Sequence, residues 1–211
     1  MKEILKSFFS SVLAGMLVAM GGFVYLSCVT KIDNGAALGA VLFSIGLFVI
    51  VVYKLNLFTG KVCYMFFENK KYNLNLLIIL LGNIVGAAFV GYLLRVTANE
   101  NLLATVSNIA LNKNNQGLLT SFILANFCGV MIFLAVDIYK NAESPICKCL
   151  GLVLGITVFI LSGFEHCVAN AFYFSIANYW SWFTALNLIV MILGNTTGGA
   201  IFAYAIQKFK K

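Results

Sequence analysis

The chain contains one histidine, His166, and it lies in the middle of an apolar stretch. The surrounding sequence, G-F-E-H-C-V-A-N over residues 163–170, also holds the acidic Glu165 and the amide Asn170. An ionisable side chain is costly inside a lipid bilayer and usually marks a functional site there. Because the reference pKa of histidine is about 6.5, His166 could exchange a proton near neutral pH or hydrogen-bond a passing solute. The alternative is a neutral histidine that only holds the helical bundle together.

Thr59 is a second polar residue in an apolar segment, within the sequence L-F-T-G at residues 57–60. It lies where polar residues interrupt the segment, and non-helical backbone at membrane depth persists only when protein buries it or it lines a cavity. The hydroxyl of Thr59 could donate to an anion or to a ring nitrogen of His166. The alternative is that it only caps or kinks a helix.

Glu165 directly precedes the histidine, and a bare carboxylate there would repel an anion. Neighbouring positions on a helix point about 100° apart, so the two side chains need not face the same cavity. We expect Glu165 to accept from backbone N–H groups that a helix break sets free, because a buried charge needs compensation. Its predicted role is structural support.

The composition indicates the class of protein. Hydrophobic residues make up 62% of the 211 positions, charged residues make up 10%, and the mean hydropathy is +0.97. A soluble domain carries about 25% charged residues, so this chain has too few to cover a water-facing surface. We therefore predict an all-α, multi-pass protein of the cell membrane, with residues 1–211 forming a single transmembrane domain in contact with the lipid bilayer.

Six apolar blocks are long enough to cross a membrane, which takes about 20 residues. The first block is too long for the apolar part of a cleavable signal, so it is the first crossing. The second and fifth are longer than the others and contain polar residues near their middles, which indicates broken helices around a midplane binding site. The blocks span about residues 8–29, 36–67, 74–96, 117–139, 149–177 and 183–206.

The basic residues predict the orientation in the membrane. An even number of crossings places both termini on one face, which then holds nine lysines against three basic residues on the other. This excess predicts cytoplasmic termini, so the net charge of +7 needs no nucleic-acid partner. The nine are Lys2, Lys6, Lys70, Lys71, Lys140, Lys148, Lys208, Lys210 and Lys211, and the three are Lys31, Arg95 and Lys113.

The sequence G-N-x-x-G occurs once in each half of the chain, at residues 82–86 and 194–198. Taken alone, the two copies are ordinary helix-packing motifs, because glycines four apart let helices approach closely in lipid and an asparagine can hydrogen-bond across a helix interface. Both copies follow a broken block, however, which favours a duplication with three crossings per copy, about residues 8–96 and 117–206. An odd number of crossings inverts the second copy relative to the first.

The six cysteines indicate neither a metal site nor a cofactor. Four lie in apolar blocks, where a thiol behaves as a small hydrophobe. Cys147 and Cys149 form a C-x-C in a predicted loop and lack the second pair that a structural zinc site uses. We expect all six cysteines to be reduced and structural.

Taken together, the motifs resemble those of the formate/nitrite transporter family over all six blocks. The specific elements are L-F-T-G at residues 57–60, the two G-N-x-x-G motifs, and F-E-H-x-x-A-N at residues 164–170. The resemblance implies a homopentamer of aquaporin-like protomers, each with its own pore. It also implies transport of small monovalent anions or their weak acids: formate, nitrite, lactate, acetate or hydrosulfide.

The resemblance also assigns roles to residues by their position. The pore and selectivity residues are His166, Thr59, Lys113, Asn170 and Asn195, and the apolar constrictions are Phe43, Leu47, Phe159, Leu57 and Phe58. Lys113 is the candidate for a lysine at the outer vestibule. Its match is looser than the others, because it lies nearer to the fourth block than the family pattern suggests.

The chain departs from the family pattern at several positions. Asn56 stands where an acid is usual before L-F-T-G, and Val190 replaces a proline that is usual in the last block. Lys54 and Lys61 flank Thr59 on either side. They would raise the affinity for anions if they face the pore, or their stems let them extend to the cytoplasmic interface instead.

The expected function is a channel or proton-coupled transporter for formate, nitrite or hydrosulfide. An entrance lysine would concentrate anions, and desolvation at apolar constrictions would raise the pKa of a weak acid, whose proton His166 could supply or relay. A neutral-solute channel of the water or glycerol type is the alternative, although such channels carry paired N-P-A motifs and Pro145 is the only proline here. An enzyme is not expected, because Glu165, His166 and Cys167 would diverge on a helix.

Overall fold

The structure is a computed structural model that describes residues 2–209, and this part of the chain is helical and contains no β-strand. The all-α prediction is therefore confirmed. Lys210 and Lys211, counted above among the lysines of the terminal face, lie outside the described residues. The helices are α1 (Lys2–Lys31), α2 (Ala36–Val52), α3 (Phe58–Lys61), α4 (Lys70–Arg95), α5 (Glu100–Asn115), α6 (Leu118–Asn141), α7 (Pro145–Leu161), α8 (Cys167–Ala177) and α9 (Trp182–Phe209), with a 3-10 turn, Val62–Tyr64, directly after α3.

Four helices, α1, α4, α6 and α9, are long and apolar enough to cross a membrane, with 30, 26, 24 and 28 residues. α2 and α7 have 17 residues each. At about 1.5 Å per residue they reach only about 25 Å, less than the hydrocarbon core of a bilayer. A short helix follows each of them, α3 with 4 residues and α8 with 11. The second and fifth apolar blocks thus contain two helices each, while α9 passes through Val190 without interruption.

α5 is a helix between the third and fourth apolar blocks, where the sequence predicts no membrane crossing. Its amino end is capped by Asn99, whose side chain accepts from the amide of Leu102 at 2.9 Å. The buried residues Leu102, Val106 and Ala110 recur every four positions, so one face of α5 packs inward, mainly on α8. Lys113 lies in the last turn of α5, and this helix therefore decides where its ammonium group points.

The G-N-x-x-G motifs pack the long helices in pairs, α4 on α1 and α9 on α6. A Cβ on Gly82 would lie 2.6 Å from the Cβ of Ser11, and a Cβ on Gly194 would lie 2.6 Å from the Cβ of Ala125. Only glycine fits at either position, because real carbon atoms do not approach so closely. Small residues at these contacts let the backbones come together, as is usual for helices packed in lipid.

The helix ends define two faces of the molecule. The starts of α1 and α4 lie together, since Lys71 Nζ is 3.2 Å from Glu3 Oε2. Tyr72, near the start of α4, lines the same cavity as Lys140 at the end of α6. We call this side the Lys140 face, and the opposite side, where α5 joins α4 to α6, the Lys113 face.

Candidate functional site

α2 and α7 end in the same way, with their last carbonyl groups closed by amides just beyond the helix. We call residues 53–57 the first break and residues 162–166 the second break. Each contains one residue with left-handed backbone, Lys54 at φ 55° and Gly163 at φ 68°. Glycine adopts this conformation freely, whereas a side chain there costs about 1 kcal/mol. The closing bonds are Leu55 N–H to Ile50 O (2.9 Å), Lys54 N–H to Val51 O (3.2 Å), Phe164 N–H to Phe159 O (2.9 Å) and Gly163 N–H to Ile160 O (3.1 Å).

One asparagine from each G-N-x-x-G motif holds each break. Asn83 and Asn195 are fully buried. In both, the side-chain oxygen accepts the first amide of the following short helix, and the nitrogen donates to the carbonyl two residues earlier and to a carbonyl of a long helix. Asn83 bonds Phe58 N–H (2.7 Å), Asn56 O (2.8 Å) and Ser11 O (2.7 Å), and Asn195 bonds Cys167 N–H (2.9 Å), Glu165 O (2.8 Å) and Ala125 O (2.9 Å).

His166 is the last residue of the second break, and its imidazole makes two hydrogen bonds. Nδ1 accepts from the amide of Ala169 at 3.2 Å and so caps α8. Nε2 lies 2.9 Å from Oγ1 of Thr59, the second residue of α3. Because Nδ1 accepts, the proton of the neutral ring is on Nε2, which donates to Thr59. The hydroxyl hydrogen of Thr59 is then able to donate to another molecule.

Aromatic rings cover the imidazole. The ring of Phe159 stacks on His166 at 5.7 Å between centroids, with 24° between the planes. Phe43 meets Phe159 edge to face at 6.0 Å. All three are buried, and Thr59 is fully buried. In this dry setting an unpaired polar group is costly, so the contact between threonine and histidine fixes both side chains.

Two cavities lie toward opposite faces of the molecule; His166 lines one of them, and Thr59 lines neither. The cavity on the Lys113 face has a volume of about 280 Å³ and is lined by His166, Phe43, Phe159, Lys113 and Asn170 among others. The cavity on the Lys140 face has a volume of about 560 Å³, and its wall includes the predicted constriction residues Leu47 and Leu57. Among the described residues, none lines both cavities. We call them the Lys113-side cavity and the Lys140-side cavity.

Glu165 is buried, with 1% of its side chain exposed, and three side chains donate to its carboxylate. Lys113 Nζ lies 2.6 Å from Oε2, Asn170 Nδ2 lies 2.6 Å from Oε2, and Gln116 Nε2 lies 2.8 Å from Oε1. The expected backbone donors are not the partners, because Asn195 already occupies the backbone of the second break. The carboxylate thus neutralises Lys113, whose side chain is only 18% exposed.

Of the other predicted pore residues, one lines a cavity and two do not. Asn170 lines the Lys113-side cavity, but it donates to Glu165 and to Sδ of Met191, at 2.9 Å, rather than to the imidazole. Asn195 and Phe58 are buried outside the walls of both cavities. Sequence reasoning missed Gln116, for which no motif gives a signal.

The two lysines left open by the sequence, Lys54 and Lys61, both line the Lys140-side cavity. Lys54 is exposed and Lys61 is half-buried. Both residues therefore border the same space as Leu57.

Comparison with known proteins agrees with this architecture. The profile of the family described as "Formate/nitrite transporter" matches residues 1–209. The formate channel FocA of Haemophilus influenzae is 26% identical, over 96% of this chain and 86% of the relative. A probable formate transporter of Methanothermobacter thermautotrophicus is 33% identical, over 91% and 84%. The nitrite transporter NirC of Escherichia coli K12 is 28% identical, over 92% and 79%.

Two solved structures share the fold. One, a pentameric formate channel with formate bound, superposes with a TM-score of 0.83 at 23% identity, over 100% of this chain and 99% of that one. The other, an ion channel of the same family, gives a TM-score of 0.87 at 24% identity, over 98% and 90%. The chain is a multi-pass membrane protein with the fold of these channels, and it belongs to the formate/nitrite transporter family.

Proposed function

We propose that the protein passes small monovalent anions, or their weak acids, across the cell membrane through each protomer. The relatives include formate channels and a nitrite transporter, so formate and nitrite are the first substrates to test, with hydrosulfide third. The observation that carries the proposal is the contact between Thr59 and His166. It lies where the two breaks meet, between the two cavities, and it leaves one hydroxyl hydrogen able to bind an anion.

In this account Thr59 touches the substrate and His166 positions it. A second proton on the imidazole would have to go to Nδ1 and would break the cap on Ala169. His166 therefore acts as a neutral hydrogen-bond donor, and the proton that accompanies a weak acid comes from the solvent with the substrate. Phe43 and Phe159 form the dry constriction on one side, where a hydrated ion would lose water, and Leu47 and Leu57 form it on the other.

Glu165 and Lys113 form the support of the second break in this proposal. The pair keeps an ammonium group at the Lys113-side cavity, where its remaining N–H groups can donate to an anion although its net charge is compensated. Asn170 also donates to this carboxylate and helps to fix it. Asn195 holds the backbone that carries His166, so its role is structural rather than selective.

We also propose that the protomer consists of two inverted repeats with broken second and fifth crossings. The two asparagine clamps support this, because each makes the same three bonds to corresponding groups. When the two breaks are aligned on the amides that Asn83 and Asn195 hold, Asn56 corresponds to Glu165, Leu57 to His166, and Lys54 to Gly163. The glycine contacts of Gly82 and Gly194 support the same pairing of the helices.

The proposed orientation places the Lys140 face and both termini in the cytoplasm. Among the described residues, seven lysines besides Lys54 and Lys61 of the cavity wall belong to this face and three basic residues to the other, and the excess favours the cytoplasmic side. The seven are Lys2, Lys6, Lys70, Lys71, Lys140, Lys148 and Lys208, and the three are Lys31, Arg95 and Lys113. A homopentamer is part of the proposal, supported by the pentameric channel that shares the fold.

A neutral-solute channel is the second candidate, and one observation favours it. The carboxylate of Glu165 compensates Lys113, so the Lys113-side cavity carries less positive charge than the sequence suggests. A channel for an uncharged solute would need no net charge at its mouth.

The test compares the two candidates in one preparation. Proteoliposomes holding the full chain are given formate, nitrite or hydrosulfide gradients with a pH-sensitive or anion-sensitive dye inside, and separately a glycerol or water gradient followed by light scattering. We expect flux of at least one of the three anions well above that of empty liposomes, and no accelerated swelling. Swelling without anion flux would reject the proposal and favour the neutral-solute channel.

A further inference from the structure

The Lys140-side cavity gathers four lysines from four different segments of the chain. They are Lys54 of the first break, Lys61 of α3, Lys140 at the end of α6 and Lys148 of α7. One acidic residue, Glu68, lines the same cavity. The charges of Lys61 and Lys140 interact repulsively, while Glu68 and Asp137 offset part of this. A positive surface folded into a concave wall focuses its field on the enclosed space, so this cavity favours an anion.

The backbone of Lys54 gives an independent reason to assign a function to these lysines. Its φ of 55° lies in the left-handed region, where the corresponding residue of the second break is Gly163. A non-glycine residue in this conformation is strained, and such strain is concentrated at ligand clamps and active sites. The turn thus holds a lysine where glycine would fit more easily, and this lysine is one of the residues that line the cavity.

The size of the cavity argues against a small monovalent anion as its only occupant. Its volume of about 560 Å³ is twice that of the Lys113-side cavity. A water molecule takes about 30 Å³, and an anion of three heavy atoms would fill only a small part of the space. With Glu68 on the wall, a single negative charge would still leave up to two of the four ammonium groups uncompensated. Lysine binds phosphate groups as a compact point charge, and several lysines suit several charged oxygens.

The cavity ends before the central site. Its wall toward Thr59 includes the apolar Leu47 and Leu57. A multiply charged anion loses too much hydration at such a wall to pass it. An anion held by the lysines would therefore stay in the cavity and cover the approach to the central contact.

We propose that the Lys140-side cavity binds a soluble phosphate-bearing anion with two or more negative charges, and that the bound anion obstructs the pore. The site is separate from the contact between Thr59 and His166. The obstruction rests on the proposed transport function, whereas the binding does not.

Inorganic pyrophosphate is the probe, titrated calorimetrically into the full chain in nanodiscs of zwitterionic lipid. We expect saturable binding that weakens steeply with salt, and a Kd raised about fivefold or more by either Lys54→Gln or Lys61→Gln. Lys70→Gln is the matched control, since it removes one charge from the same face outside the cavity, and it should leave the Kd within twofold. No saturable binding, or equal Kd values for all three variants and the wild type, would overturn the site.

Two further measurements fix the source of the phosphate and its effect. Binding should persist in nanodiscs that contain anionic phosphatidylglycerol, and its loss there would overturn the assignment to a soluble ligand in favour of lipid headgroups. In proteoliposomes, pyrophosphate on the Lys140 face should lower anion flux severalfold in the wild type and less in Lys54→Gln. Binding with unchanged flux would overturn the obstruction alone, and the calorimetry is independent of whether the protein transports anions.

Discussion

The first and second breaks are built on the same frame and carry different chemistry. Both begin with the same helix-closing turn and end at an amide held by a motif asparagine, Asn83 or Asn195. At the corresponding positions, however, the first break has Asn56 and Leu57 where the second has Glu165 and an imidazole. The shared turn and asparagine therefore satisfy the backbone groups that would otherwise lack hydrogen-bond partners between two helices in a membrane. The variable positions are then available for function.

Replacement of either motif asparagine, Asn83 or Asn195, should have the largest effect on stability. Asn83→Leu and Asn195→Leu each delete three buried hydrogen bonds and leave backbone groups unpaired, so each should lower the free energy of unfolding by roughly 3 kcal/mol or more. Denaturant titration in detergent, with pentamer yield as a second readout, measures it. Thr157→Val is the control, since the Thr157 hydroxyl donates to a carbonyl of its own helix, and it should lose about 1 kcal/mol or less. A large loss of stability for only one of the two asparagine variants would contradict the equivalence of the first and second breaks.

The second prediction compares the charged Glu165 of the second break with the neutral Asn56 at the corresponding position of the first. Glu165→Gln leaves the ammonium of Lys113 without its carboxylate in a mostly buried place, which should destabilise the protein by about 2 kcal/mol. Adding Lys113→Met should restore at least half of this loss. The corresponding Asn56→Ala should cost less than about 1 kcal/mol, because its side chain makes only two long bonds, at 3.3 and 3.4 Å. Equal losses for Glu165→Gln and Asn56→Ala would show that the buried pair adds nothing to the second break.

The smallest effect concerns the left-handed residues. Gly163→Ala should destabilise the protein by about 1 kcal/mol through backbone strain alone, since an added Cβ would meet no described atom within 4 Å. Lys54→Gly should raise the stability by a few tenths of a kcal/mol, because relief of strain is partly offset by the flexibility of glycine when unfolded. Differential scanning calorimetry measures the change in stability of both variants. A stabilising Gly163→Ala would contradict the comparison of the two turns.

Much of the fold could be predicted from the sequence, because a bilayer gives each residue type a definite meaning. Six apolar blocks, the scarcity of charge and the interruptions near Thr59 and His166 all follow from the cost of polar groups in lipid. The family resemblance pointed to the same segments, and the profile match confirms it.

The features that could not be predicted from the sequence depend on contacts between distant segments. α5 is too polar to be recognised as a membrane crossing, and its packing against α8 decides that Lys113 and Gln116 reach Glu165. No spacing in the sequence reveals that ion pair. The asparagines of the G-N-x-x-G motifs were expected to hydrogen-bond across a helix interface, and the sequence did not reveal that they also bond the backbone of the breaks. The lining of the Lys140-side cavity by Lys54 likewise follows from a backbone turn that lysine rarely adopts.

The central claim is that the hydroxyl of Thr59, positioned by His166, meets the anion, and formate flux into proteoliposomes tests it most directly. Thr59→Val keeps the shape of the side chain and removes the hydroxyl, so flux should fall at least about tenfold. Thr59→Ser should retain most of the flux. Thr30→Val is the control, because that hydroxyl only bonds its own helix. Wild-type flux in Thr59→Val would contradict the account.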